Sequence, residues 1–339
     1  MIIVMRQAAA ESQIEAVIAR IRAAGLDSHV SRGAERTLIG AVGDERGLTP
    51  QMFEAMPGVE RAMHVLREYR IVSRESHPEN SVVMARGQAI GGPALQLIAG
   101  PAAVESARQM REAAALVAGA GGRWLRGGVF KRHSSPYGFQ GLGVEGLDLL
   151  QEAAAGQGLL TVSELADPRM LDVFLEQGVD MILIGSRSMQ NVDLLKEVGR
   201  INKPVILKRG AAATLREWLL AAEYIAAGGN HNIVFCERGV RSFDPDCANL
   251  LDISAIPLLK RETHLPVIVD PSHASGKADL TPALARAAIA AGADGLMLDA
   301  HPEPAQALSQ PGQALGPQAF AELMAELRAL AAALGRHWA

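Results

Sequence analysis

The run PVIVDPSH (266–273) is one of eight short apolar stretches that recur through the later part of this 339-residue chain. The others are LQLIAGP (95–101), RWLRGGVF (123–130), LLTVSEL (159–165), MILIGSR (181–187), PVILKRG (204–210), NIVFCERG (232–239) and GLMLDAH (295–301). Most carry a Val/Ile/Leu block of strand length, the pattern of a parallel strand covered on both faces. Stretches with helical spacing separate them, such as Val104–Ala118 and Thr214–Ala227. Eight strand–helix units predict an α/β fold of the (β/α)8 TIM-barrel type over residues 95–339, with Pro317–Leu334 as its closing helix. A doubly wound sheet is the rival, but LIAGPAAVES lacks the G-x-G-x-x-G turn that such a sheet would usually place after its first strand.

Ahead of the barrel, residues 1–70 alternate more tightly. Strands are predicted at Met1–Met5, Ser28–Arg32, Arg36–Val42 and Ala62–Leu66, with helices at Ser12–Ala24 and Thr49–Ala55. Ser12 and Thr49 stand where N-caps belong, and Gly25 ends the first helix. The order βαββαβ is that of a small ferredoxin-like α+β domain. Residues 71–94 carry Pro78, Asn80, Gly87, Gly91 and Gly92 without sustained periodicity, and are predicted to be a linker and barrel lid, with an edge strand at Ser81–Met84 as the alternative.

Composition narrows the function classes. The chain is 49% hydrophobic and 21% charged, with a net charge of -4, as expected of a soluble globular protein. An acidic balance offers no footprint for nucleic acid or anionic lipid, so neither is expected as a partner. Cys236 and Cys247 fit neither a disulfide framework nor a zinc knuckle, which predicts a cytoplasmic protein. The opening MIIVM is too short an apolar run for a signal peptide or a membrane span.

Active sites of such barrels are built at the C-terminal ends of the strands. There the chain places Arg126, Lys131, Arg187, Lys208, Arg209 and Arg238, including two of its only six lysines. So many cations at one mouth, with few carboxylates expected to neutralise them, predict a ligand carrying several negative charges, such as phosphate plus carboxylate. The loop KRHSSPYGFQG (131–141) adds the hydroxyls of Ser134 and Ser135 beside Pro136 for a second phosphate. Glu164, Asp270, His273, Asp299 and His301 end the remaining strands, and a His with a neighbouring carboxylate suits a divalent ion acting as Lewis acid.

These strings resemble a known family, the type I-beta 3-deoxy-D-arabino-heptulosonate 7-phosphate (DAHP) synthases, relatives of the 3-deoxy-octulosonate 8-phosphate synthases. The resemblance lies in AGPAAVES, LRGGVFK, SSPYGFQGLG, IGSRSMQN, LKRG, EWLLAAEYI, CERGVRSFD, PVIVDPSHASGK and ADGLMLDAHPEPAQALS. It implies a phosphoenolpyruvate pocket formed by Arg126, Lys131, Arg187, Lys208 and Arg238, with Lys131, His273 and Glu164 as catalytic residues. It also implies condensation with erythrose 4-phosphate at the entry to aromatic amino acid biosynthesis, a homo-oligomer, and a regulatory N-terminal domain whose effector is an aromatic amino acid.

The family's metal ligands are a Cys, a His, a Glu and an Asp. At those positions this chain has Ala102, His273, Asp299 and Gln310. Alanine offers no donor, glutamine binds more weakly than a carboxylate, and aspartate is one methylene shorter. The sequence therefore predicts that no divalent metal is held tightly by His273 and Asp299, and leaves metal-independent chemistry as an alternative. The family's Lys-Pro-Arg-Thr acceptor loop reads Lys131, Arg132, His133, Ser134, which assigns the last three to the acceptor phosphate. Both departures bear on the acceptor and neither on phosphoenolpyruvate. Two further readings follow from them, the same chemistry on a different phosphorylated aldose or other aldehyde, and a non-catalytic paralogue that binds phosphoenolpyruvate or an amino acid and regulates a synthase.

Overall fold

The structure is a computed structural model, and it describes every residue except 34–35, 44–46, 64–67 and 132–134. The first element group comprises β1 (Ile2–Met5), α1 (Glu11–Ala23), β2 (Asp27–Arg32), β3 (Thr37–Val42), α2 (Pro50–Glu54) and β4 (Val59–Met63). Its sheet runs β2-β3-β1-β4 with every pairing antiparallel, as two interleaved βαβ units require. Ile3, Ile39, Val17, Ile21 and Phe53 form its own core. The first helix begins at Glu11, with Ala10 rather than Ser12 at the cap position. There the Ala10 N–H donates to Gln13 Oε1 at 3.0 Å, the half of a capping box that needs no side chain at the cap position.

Next come two three-residue strands, β5 (Val83–Ala85) and β6 (Gln88–Ile90), paired as an antiparallel hairpin. Val83, Ala85 and Ile90 pack onto Trp124, Leu160 and Met181, which lie at the starts of barrel strands. The segment expected as a lid therefore plugs the far end of the barrel, opposite the strand ends that carry the chemistry. An apolar residue on every second position of the hairpin makes that plug.

The barrel strands are β7 (Ala94–Gly100), β8 (Trp124–Arg126), β9 (Leu160–Glu164), β10 (Met181–Ile184), β11 (Val205–Lys208), β12 (Ile233–Glu237), β13 (Val267–Val269) and β14 (Gly295–Asp299). Each pairs in parallel with the next, and β14 returns to β7, closing the ring. The helices are α3 (Ala107–Gly119), α4 (Val144–Gln157), α5 (Leu171–Glu176), α6 (Val192–Gly199), α7 (Leu215–Ala227), α8 (Ala255–Glu262), α9 (Pro271–Ser275), α10 (Thr281–Ala290) and α11 (Pro317–Ala333). A terminal β15 (His337–Trp338) adds to the outer side of β7.

Helix α7 illustrates how local sequence sets the frame. Thr214 and Glu217 form a reciprocal capping box, each satisfying the other's backbone amide. Trp218, Leu219, Ala222 and Ile225 recur at helical spacing and are buried, each large one contributing about 1.5–3 kcal/mol. The same helix holds the N-terminal domain. Ser31 Oγ donates to Ala226 O at 3.0 Å, and the His29 imidazole donates to Ala227 O at 2.9 Å. Glu223 accepts the amides of Ile71 and Val72 at 2.9 and 3.1 Å. Among the described residues no helix is long and apolar enough to cross a membrane.

Candidate active site

The strand ends bring the predicted cations to one mouth, and they bring carboxylates with them. Arg126, the last residue of β8, is buried and ion-paired to Asp299 Oδ1 at the end of β14. Lys208 ends β11 and bonds the buried Asp270. Arg209 donates to Glu237 at 2.9 Å and to Asp252 at 3.0 Å. The expectation of a mouth with few neutralising carboxylates is thus corrected. Guanidinium and ammonium groups this deeply buried need partners to offset lost hydration, and the neighbouring strands supply them. Arg209 is spent on this framework and is not a free ligand group.

Lys131 differs. Its Nζ donates to the main-chain oxygen of Ala102 at 2.7 Å, and no carboxylate pairs with it within 4 Å among the described residues. Burial pulls its pKa down to about 8, with the nearby Glu164 opposing that fall and Arg126 and Lys208 adding to it. Glu164, at the end of β9, is half-buried and lies over Gly185, where a Cβ would come within 2.0 Å of its Oε1. The glycine in IGSR therefore leaves room for this carboxylate.

Arg238 follows β12, is lowered in pKa by burial, and donates to His273 O at 2.9 Å. Arg187 lies exposed just beyond β10, near enough to act electrostatically on Arg238. Asp270 caps the short helix α9 by accepting the His273 amide at 2.9 Å. Burial alone would raise the Asp270 carboxyl, but His273 and Lys208 hold it well below its ordinary value. His301, a strand-end imidazole in the sequence, turns away toward α3, where its Nδ1 accepts the Glu303 amide at 3.0 Å. Arg132, His133 and Ser134 lie outside the described residues.

Sequence reasoning missed Gln313, Ser272 and Asp252. Buried Gln313 donates to Asp299 Oδ2 and, at 3.2 Å, to Gln310 Oε1, while Ser272 Oγ accepts the Asp299 amide at 3.1 Å. Gln313 ends a single 3-10 turn (Pro311–Gln313) and Asp252 sits in an irregular connection, both too short for a periodicity to flag, and Ser272 lies in the short helix α9. They order the region where the resemblance places a metal. His273 Nδ1 is buried without an aligned hydrogen-bond partner among the described residues, although Asp270 Oδ2 is 2.9 Å away and Asp299 Oδ1 3.7 Å. The His273 imidazole beside Asp270, the Asp299 carboxylate, which Arg126 and Gln313 also engage, and the amide oxygen of Gln310 are nitrogen and oxygen donors of the kinds a divalent ion takes. Ala102 contributes no side-chain donor to it.

Comparisons with known proteins agree along the whole chain. Residues 75–333 match the DAHP synthetase I family, and residues 1–67 match the DAHP synthase ferredoxin-like domain. The chain is 45% identical over 335 residues to a phospho-2-dehydro-3-deoxyheptonate aldolase of Thermotoga maritima, covering 99% of both chains. A 2-dehydro-3-deoxyphosphooctonate aldolase of Acidithiobacillus ferrooxidans is 32% identical over 199 residues, 55% of this chain and 68% of that one. The crystal structure of the Thermotoga maritima DAHP synthase superposes with a TM-score of 0.80 at 44% identity, covering 100% of this chain and 99% of that chain. This full-length match overturns the expectation of a doubtful metal or metal-independent chemistry, because the family matched is the one to which the resemblance attaches a divalent metal.

Proposed function

We propose the following residue roles for a chain that belongs to the DAHP synthetase I family. It is a transferase that condenses phosphoenolpyruvate with erythrose 4-phosphate, giving DAHP and phosphate. C3 of phosphoenolpyruvate attacks the aldehyde carbon, water adds at C2, and phosphate leaves from the resulting hemiketal.

Arg126, Lys131, Arg187, Lys208 and Arg238 bind the carboxylate and phosphate of phosphoenolpyruvate. The observation that carries this reading is the buried Lys131 ammonium, which no carboxylate neutralises at contact distance among the described residues and which Arg126 and Lys208 destabilise. An incoming dianion relieves that repulsion. With a pKa of about 8, Lys131 is also suited to deliver a proton to the aldehyde oxygen as the new bond forms. Glu164, close enough to act on that ammonium, accepts the proton of the water that adds at C2. His273, Asp299 and Gln310 would hold the divalent ion, which when bound supplies electrophilic polarisation of the acceptor aldehyde. Asp270 and Arg238 orient His273 through its amide and its carbonyl.

Arg132, His133 and Ser134 take the acceptor phosphate. A cavity of about 310 Å³ lined by Phe130, Lys131, Gln140, Ala166, Asp167 and Met170 gives the sugar chain room. The reading includes three domain spans (1–70, 71–94 and 95–339), a cytoplasmic home, homo-oligomeric assembly and an aromatic amino acid effector at the N-terminal domain. Neither a different aldehyde nor a non-catalytic regulator gains an observation of its own from the described residues.

The test is direct. Protein given both substrates and a divalent metal releases phosphate in step with DAHP, and phosphoenolpyruvate alone raises Tm. Lys131→Ala abolishes both effects. No phosphate release with any divalent metal overturns the reading.

A further inference from the structure

Glu237 ends β12 immediately before Arg238, and it is fully buried. Neither of its carboxylate oxygens is free. Oε1 accepts the Gly239 amide at 2.6 Å, and Oε2 accepts Arg209 at 2.9 Å. The first bond spans the residue between them, so the carboxylate closes a tight turn around Arg238. Gly239 lies in the left-handed region at φ 84°, and a Cβ there would come within 2.9 Å of Asn249 and 3.1 Å of Leu250 O. Val240 and Leu250 then exchange backbone bonds at 3.0 and 2.8 Å, closing the loop that follows. With the chain pinned on its C-terminal side and β12 on the other, the backbone of Arg238 has one path.

Arg209 secures the pin. Its Nε donates to Ala213 O at 3.0 Å, its Nη1 also reaches Asp252 at 3.0 Å, and its guanidinium lies 6.0 Å from the Trp218 ring centroid. Asp252 in turn accepts the Ala255 amide at the first turn of α8. One guanidinium thus ties together the ends of β11 and β12 and the start of α8. A buried carboxylate of this kind is costly unless every oxygen is satisfied, so the cluster holds a single arrangement.

We propose that Glu237, held by Arg209 and Asp252, is a positioning residue that aims Arg238 at phosphoenolpyruvate. This rests on the reading that Arg238 binds that substrate. Glu237 itself touches no substrate.

In Glu237→Gln the amide keeps an acceptor for Gly239 but loses its charge toward Arg209. The expected result is a rise of about tenfold in KM for phosphoenolpyruvate, with kcat within about threefold and the KM for erythrose 4-phosphate unchanged. The Tm rise induced by phosphoenolpyruvate shrinks in parallel. A merely structural role would lower Tm and the yield of active enzyme while leaving that KM alone, and this outcome overturns the proposal. Arg238→Met is the control for the premise. If it leaves the KM and the ligand-induced Tm rise unchanged, the binding role of Arg238 fails and the proposal falls with it. If it raises KM while Glu237→Gln does not, positioning alone is refuted. Should Glu237→Gln not fold, Asp252→Asn, at a partly exposed position, decides. A smaller rise in the same KM supports the proposal, and no rise overturns it.

Discussion

The ammonium of Lys131 is hydrogen-bonded at 2.7 Å to the main-chain oxygen of Ala102, across from the loop after β8 to the loop that follows β7. A carbonyl supplies an acceptor but no charge, so Glu164 and Asp299 offset only part of the cost of burying the ammonium. This sets its pH behaviour. Below about pH 8 the group is protonated and ready for an anion, and above that value it is neutral. kcat/KM for phosphoenolpyruvate should therefore fall through pH 8 by about tenfold per unit. Lys131→Arg, which stays charged, should lose that limb, and an identical profile in the variant would refute the assignment. Stability moves the other way. The folded-state pKa lies below the ordinary 10.5, so the cost of burying the charge is present below about pH 8 and is relieved as pH rises to 10.5, by on the order of 3 kcal/mol at most.

Gly100 ends β7 at φ 143°, and a Cβ there would meet Arg126 O at 2.3 Å. Backbone cannot step aside as a flexible side chain can. Gly100→Ala should displace the end of β8, lower stability by about 2 kcal/mol or more in a denaturant titration, and weaken phosphoenolpyruvate binding through Arg126. A variant with wild-type midpoint and KM would show that the strand end is softer than the structure implies.

His264 is neutral by construction. Its Nε2 donates to Ile71 O at 3.1 Å, and its Nδ1 accepts from Ser81 Oγ at 2.7 Å. Burial lowers its pKa to about 3, with the bond to Ile71 opposing that fall. The unfolded chain takes up a proton near pH 6.5 that the folded chain refuses, so stability drains away as pH falls from 6.5 toward 3. Between pH 6.5 and 5 this one residue should cost about 2 kcal/mol. His264→Gln should be less stable at pH 7 but should lose less on acidification, measured by urea midpoints. Equal losses in both proteins would remove His264 as the cause.

Metal removal tests the donor set around His273. Exhaustive chelation should lower the condensation rate at least tenfold, and added divalent metal should restore it. Independently of activity, the metal should raise Tm in the wild type and not in His273→Ala. Rates that survive chelation would sink this expectation.

The barrel was legible because buried parallel strands appear as near-continuous apolar runs, so eight of them could be counted. Arg126, Lys208 and Arg238 were legible too, since strand ends fix where a charged residue points. Their neutralisation was not. Arg126 and Asp299 stand 173 residues apart, and Lys208 and Asp270 stand 62 apart, separations that no local pattern spans. Gln313 acts from a single 3-10 turn and Asp252 from an irregular connection, segments too short for sequence to show a period. The hairpin at Val83–Ile90 was legible only as the alternative edge strand at Ser81–Met84, because strands of three residues carry too little alternation to register.

That hairpin has a consequence for traffic. Among the described residues, Val83, Ala85 and Ile90 stopper the far end of the barrel and leave the strand-end mouth open to reactants. Both reactants come in, and both products go out, by the rim where Tyr137 and Phe243 stand fully exposed. A group that seats on the buried Arg126 and Lys208 is therefore expected to bind first and leave last, an order that product-inhibition patterns would show.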